Sequence, residues 1–214
     1  MEQIEEAVRC ALDPNSPQDI KVQATQYCER IKESSDGWQV CLELFTTIPQ
    51  RAPEARLFAL QVVEAMISSA GIRGNVNGAA PKLDAARKAL LDFVSNQYSG
   101  ATYHSEQPFI KNTLAHTFSL LALATYPSQW PTFVKDVVLL TGFPATSGPL
   151  TENSASAIST AAINPSLVDF LLRILSSLDE VMINPTVPRS TDEIARNTEI
   201  KDAMRIEDVS RMAH

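Results

Sequence analysis

The sequence predicts an all-α fold, an α-solenoid of HEAT-like antiparallel helix pairs, and three observations lead there. Apolar residues recur at i, i+3, i+4 and i+7 in one segment after another, and no segment alternates with the period of two that a strand needs. Clusters of proline, glycine and serine separate many of these segments by only a few residues, so the helices they join must run antiparallel. Several apolar faces are too broad for one partner to cover, and stacking pair upon pair supplies the missing cover.

A short leader helix places Ile4, Val8, Ala11 and Leu12 on one side before DPNSPQD stops it. Ser16 can cap, Pro17 fits the first helical position and Asp19 suits the positive helix end. The helix from about 17 to 33 carries Ile20, Ala24, Tyr27, Cys28 and Ile31. After the break at Ser34 to Gly37, the stripe of Trp38, Cys41, Leu42, Phe45 and Ile48 completes a first pair over 16–48. A second pair is predicted over 53–97. Leu57, Phe58, Leu60, Val62, Val63, Met66 and Ile67 leave its first helix little polar face; Gly71, Gly74 and Gly78 make a loop, and Pro81 opens a helix with Leu83, Ala86, Leu90, Phe93 and Val94 inward.

The third pair, over 107–141, has Ile110, Leu114, Phe118 and Leu121, a stop at Tyr126-Pro127, then Trp130, Phe133, Val134, Val137 and Val138. Residues 142–164 hold almost no large apolar side chain and are predicted to form a long flexible loop. The fourth pair, over 165–212, opens at Pro165 with Leu167, Phe170, Leu171, Ile174, Leu178, Val181 and Met182. It closes with a polar helix capped by Ser190 or Thr191, whose best inner stripe is Ile194, Thr198 and Ala203. Pair starts near 16, 53, 107 and 165 are unevenly spaced, and the two loops account for the longer intervals.

Composition narrows the function. A formal charge of −7 sets the overall field against phosphate and favours a protein partner over free RNA. Cys10, Cys28 and Cys41 have no C-x-x-C spacing and sit among apolar residues, as reduced core thiols of a cytosolic or nuclear protein do. MEQIEEAVRC lacks the order of a signal peptide, and no apolar run reaches the ~18 residues of a membrane span, so neither secretion nor a membrane is expected.

Catalytic chemistry is not expected either. His104 and His116 have no second ligand at metal spacing, and Ser119, three residues after His116, lacks an orienting acid and an oxyanion hole. GIRGNVNG follows a helix and lacks the Lys-Ser/Thr ending of a phosphate loop. The carboxylate pairs Glu5-Glu6 and Asp179-Glu180 fall at helix ends or on solvated faces. No catalytic residue, cofactor or metal is therefore predicted. Trp38 and Trp130 read as core wedges between stacked units. The dense polar set Arg196, Asn197, Lys201, Asp202 and Arg205 on the last helix reads equally as a solvated face or as a partner surface.

Five collinear stretches, GWQVCLELF (37–45), LFALQVVE (57–64), FIKNTLAHTFSLLALATYPSQWPTFVKDV (109–137), VDFLLRIL (168–175) and DEIARNTEIKDAMR (192–205), resemble the exportin-T family of the importin-β superfamily. SQWPTF and ARNTEIKDAMR are the most specific. The resemblance implies the N-terminal arch of HEAT repeats of a much longer tRNA export receptor. Such an arch grips GTP-bound Ran, lies near the cargo tRNA, meets nucleoporins, and shuttles between nucleus and cytoplasm. It also implies that the second helix of each pair lines the concave side, which selects Gln39 and Glu43, Arg87 and Lys88, Lys135 and Asp136, and lastly Arg196, Asn197, Lys201, Asp202 and Arg205 as contacts with Ran or tRNA. The last set matches the family motif directly. Departures from animal members at 71–80 and 142–164 fit a fungal member. The alternative is a general helical scaffold for protein partners, indifferent to nucleotide state.

Overall fold

The structure, a computed structural model, describes residues 1–72, 76–98, 100–142, 163–184, 186 and 188–209. Among these residues the chain is helical, without strands. Its elements are α1 (Glu2–Leu12), α2 (Gln18–Glu33), α3 (Gly37–Thr46), α4 (Pro53–Ile72), α5 (Val76–Gln97), α6 (Ala101–Ser105), α7 (Pro108–Thr125), α8 (Phe133–Leu140), α9 (Pro165–Met182) and α10 (Thr191–Ala203), continued by a π turn (Met204–Val209).

Local chemistry explains where the helices begin. Pro108 and Pro165 occupy first helical positions, where the missing N–H costs nothing. Asn164 accepts from the Ser166 amide at 3.0 Å. Ser190 and Glu193 form a reciprocal capping box, which satisfies two otherwise orphaned amides at the start of α10. Two starts differ from the prediction: α2 begins at Gln18, with Pro17 in the cap position and no cap bond from Ser16, and α5 begins at Val76, so Pro81 lies inside the helix instead of opening it. It is the sixth residue of the helix and removes the one backbone donor that would reach back four residues. The predicted loop at 142–164 lies almost wholly outside the described residues.

Helices α4, α7 and α9 stack directly on one another in a row. Helix α3 packs along α4, α5 lies against α3, α4 and α7, and α8 touches α9. Helices α1 and α2 pack on each other and lean on the α3–α4 unit, where Glu5 accepts from the Ala52 amide at 3.1 Å. The most extensive partner of α3 is therefore α4, across the prolines at 49 and 53, and its contact with α2 is slight. A turn of a few residues makes neighbours antiparallel on either side of a helix, and the area buried decides which neighbour is the partner.

The core is one continuous cluster. Along it runs a chain of ring contacts: Phe45 to Phe93 at 4.9 Å, Phe93 to Tyr98 at 5.6 Å, Tyr98 to Phe170 at 5.3 Å, Phe170 to Phe118 at 5.7 Å, Phe118 to Trp130 at 6.4 Å and Trp130 to Phe133 at 4.9 Å. It ties α3, α5, α9, α7 and α8 through edge-on and tilted pairs. Trp38 and Trp130 are both buried, as wedges must be. Cys28 and Cys41 are buried free thiols, and burial pushes Cys41 up to about 12.

Beside this chain lies a buried ion pair that the apolar pattern of α4 conceals. Arg56, 1% exposed, forms an ion pair with Glu106, with Nη1 donating to Oε1 at 2.8 Å and Nη2 lying 2.6 Å from Oε2. Its guanidinium also lies 4.8 Å from the centre of the Phe45 ring.

Candidate partner-binding face

The eleven residues selected from the sequence separate into three groups. Gln39, Glu43, Lys88, Lys135, Lys201 and Arg205 are exposed. Arg87, Asp136 and Asn197 are occupied in holding the array together. Arg87 pairs with Asp84, donates to the Gln129 carbonyl at 3.1 Å and lies 5.5 Å from the Trp130 ring centre. Asp136 accepts from Trp130 Nε1 and from Thr132 Oγ1, each at 2.8 Å. Asn197 is buried and donates to the Val181 carbonyl at 3.3 Å. Arg196 is half-buried, and Asp202 is paired with Arg205 at 3.9 Å.

The last helix also turns its face differently from the prediction. Ile194 is 54% exposed and Thr198 is exposed, whereas Asn197 and Ile200 are buried. A weakly amphipathic helix takes its orientation from its neighbours, and the bond from Asn197 to the end of α9 sets this one. Helices α3, α5 and α8, which carry Gln39, Glu43, Arg87, Lys88, Lys135 and Asp136, lie off the close-packed row of α4, α7 and α9.

That row bears a polar groove of about 510 Å³ lined by Gln61 and Glu64 of α4, Asn112 and His116 of α7, and Arg173 and Glu180 of α9. Glu64 is its centre: it receives His116 Nδ1 at 2.8 Å and the Thr117 hydroxyl at 3.1 Å. At one end Arg173 Nε donates to Asp169 at 2.9 Å and to the Tyr103 hydroxyl at 3.3 Å, and its Nη1 reaches Asn112. Tyr103 also donates to Asp169. Partial burial pushes the Asp169 carboxyl up, but the bonds from Tyr103 and Arg173 outweigh it and hold it below the usual carboxylate range. None of these residues was selected as a contact from the sequence. The signal was the polar side of α9, where Asp169, Arg173, Ser176 and Glu180 recur at helical spacing opposite a strong apolar stripe.

The His116–Glu64 contact makes the groove pH-sensitive. The hydrogen bond to Glu64 raises His116 above the ordinary imidazole value, against the effect of burial. A raised folded-state value means that the pair stabilises the fold fully below about pH 6.5, the unfolded value, and loses that contribution as pH rises through the folded one. Thermal melts of wild type against Glu64→Gln are therefore expected to diverge most at mildly acidic pH and to converge at alkaline pH. Parallel curves would show that Glu64 does not bind the imidazolium.

Among the described residues there is no group of three or more His, Cys, Asp or Glu side chains able to hold a metal ion, and no helix is long and apolar enough to cross a membrane. The arrangement offers a broad, hydrogen-bonding wall with fixed charges of both signs.

A family model described as Exportin 1-like protein matches residues 107–214. The chain is similar over almost its whole length to proteins named Exportin-T. That of Aspergillus oryzae is 32% identical over 212 residues, which are 99% of this chain and 19% of the relative. That of Chaetomium globosum is 30% identical over 212 residues, 99% of this chain and 18% of the relative. That of Danio rerio is 30% identical over 202 residues, 94% of this chain and 18% of the relative. The chain thus spans under a fifth of the length of the curated relatives it matches.

Proposed function

The chain belongs to the exportin 1-like family, and on that premise we propose that it is the N-terminal HEAT array of a nuclear export receptor that binds GTP-bound Ran and tRNA together. The observation that carries this reading is the match over 94–99% of this chain to proteins named Exportin-T, as distant from one another as a mould and a fish, on a chain whose helices stack as a solenoid. A receptor of this kind shuttles between nucleus and cytoplasm.

In a curved stack the inner row of helices is the more closely spaced. Close contact along the α4–α7–α9 row supports reading it as the concave wall, with its groove around Glu64, His116 and Arg173 facing the partner. Lys201 and Arg205, exposed on the last described elements, extend this wall toward a charged partner. Asn197, Arg87 and Asp136 act by holding helices in place. A formal charge of −7 argues against tRNA binding to this part alone, since phosphate contacts depend on local positive charge. Ran and tRNA bind the full receptor cooperatively because each favours the same curvature, and loss of the GTP-bound Ran conformation releases both.

Calorimetric titration tests the reading. The 214-residue chain is expected to bind Ran loaded with a non-hydrolysable GTP analogue weakly, Ran-GDP more weakly still, and tRNA hardly at all. The charge reversals Lys201→Glu and Arg205→Glu should weaken the Ran interaction without altering the melting temperature. Equal binding of GTP- and GDP-loaded Ran would favour a general scaffold, and tight, salt-insensitive tRNA binding would contradict the division of surfaces.

A further inference from the structure

The groove on the α4–α7–α9 row carries negative charge that the fold does not neutralise. Its charged and titratable lining is Glu64 from α4, His116 from α7, and Arg173 and Glu180 from α9; α7 adds otherwise only the neutral Asn112 and Thr113. Arg173 is matched by Asp169. Glu64 uses one oxygen, Oε1, for both His116 and Thr117, which leaves Oε2 without a partner among the described residues. The Glu180 carboxylate has no ion pair or hydrogen bond among them either. Three carboxylates therefore stand against one guanidinium and at most one imidazolium, so the groove is negative whether or not His116 carries a proton.

These groups are open to an incoming side chain. The side chain of His116 is 42% exposed, that of Glu64 17%, and Glu180 is exposed. They are also close enough to act on one another. Glu64 Oε1 lies 2.8 Å from His116 Nδ1; that hydrogen bond raises the imidazole most, burial opposes it, and the Glu180 charge adds to the rise. Both carboxylates thus act on one histidine. Arg173, about two helical turns before Glu180, is occupied by Asp169, Tyr103 and Asn112 at the other end of the groove.

We infer that this groove receives a cationic side chain, lysine or arginine, of a protein partner, which pairs with Glu64 and Glu180 in competition with the proton on His116. An anion, a nucleic-acid phosphate included, would meet two carboxylates and be repelled. A purely apolar side chain would strip water from both and give them nothing in return. A cation answers both charges, and an imidazolium in the same groove opposes its entry. Protonation and binding are therefore linked: acid weakens binding, and a bound cation makes His116 give up its proton more readily. That the cation belongs to a protein rests on reading this row as the concave wall; the preference for a cation rests on the groove alone.

Nuclear magnetic resonance of the 214-residue chain, read at the ring C–H signals of His116 at constant ionic strength, tests it. The probes are N-acetyl-arginine-N-methylamide, its uncharged isostere N-acetyl-citrulline-N-methylamide, and N-acetyl-glutamate-N-methylamide. The arginine probe should shift His116 saturably, with a dissociation constant on the order of tens of millimolar, and the other two should bind about tenfold more weakly or less. With the arginine probe bound, the titration midpoint of His116 should move to lower pH while that of His104, outside the groove, stays in place. Affinity for the probe should correspondingly fall about fivefold from alkaline to mildly acidic pH. Glu180→Gln removes an exposed carboxylate that holds nothing in the fold, so it should weaken arginine binding about fivefold and leave the melting temperature near wild type. Equal binding of arginine and citrulline, an unmoved His116 midpoint, or arginine binding unaffected by Glu180→Gln overturns the proposal. So does a saturable His116 shift with tRNA and none with the arginine probe. Failure of the export reading shows elsewhere, as indifference to the nucleotide on Ran, and leaves the response to the three probes as expected.

Discussion

Glu106→Ala is expected to lower the unfolding free energy by about 3–5 kcal/mol, because it leaves the Arg56 guanidinium buried and unpaired. Both side chains of the pair are almost wholly removed from solvent, at 2% and 3% exposure, and Arg56 is further enclosed by Phe45 and Phe93. Its other side-chain partner is the neutral Gln50, at 3.2 Å, which cannot balance the charge. Urea unfolding should show an earlier midpoint with little change in slope. The double variant Arg56→Met/Glu106→Leu should recover most of the loss, since an apolar pair of similar volume removes the desolvation cost together with the bond. A single-variant loss below about 1 kcal/mol would mean that water reaches the pair and that it behaves as a surface bridge.

The second large effect is at Phe170. This ring is 1% exposed and stands edge-on to both Tyr98 and Phe118, so it joins α9 to α5 and α7 at one point. Phe170→Ala should cost about 3–5 kcal/mol, the usual range for emptying a buried aromatic site. The damage should also be local. In a stack whose units touch mainly their neighbours, stability is a sum of unit and interface terms, and the unit that loses its interface opens first. Amide hydrogen exchange should therefore accelerate in α9 and α10 while α1 to α4 keep their protection. Uniform acceleration across the chain would show instead that the array unfolds as one cooperative body.

Much of the fold was legible in the residues because it is set locally. Pro165 after Asn164 and Ser190 before Glu193 mark helix starts through bonds within three residues, and the stripe from Leu167 to Leu178 defines the buried side of α9. The same local rules failed where two solutions were equally good. Ile194 and Thr198 offered α10 an inner stripe no worse than Asn197 and Ile200, and only contact with α9 chose between them. Arg56 was hidden in a helix read as almost wholly apolar, because its partner Glu106 lies 50 positions away. Of the residues selected for binding, Lys88, Lys135 and Lys201 are exposed, while Arg87, Asp136 and Asn197 are structural. Charge and spacing do not distinguish these roles; the presence of an internal partner does.

By itself, then, the sequence determined which segments are helical, where most of them start, that they stack, and which family they belong to, since each of these depends on neighbours along the chain or on runs of matching residues. Tertiary structure alone decided that α3 sides with α4, that α4, α7 and α9 form the close-packed row, and that Glu64, His116 and Arg173 share one groove. A groove made by three helices is a property of how they lean on each other, and a side chain's choice between solvent and partner is made only when all three are in place.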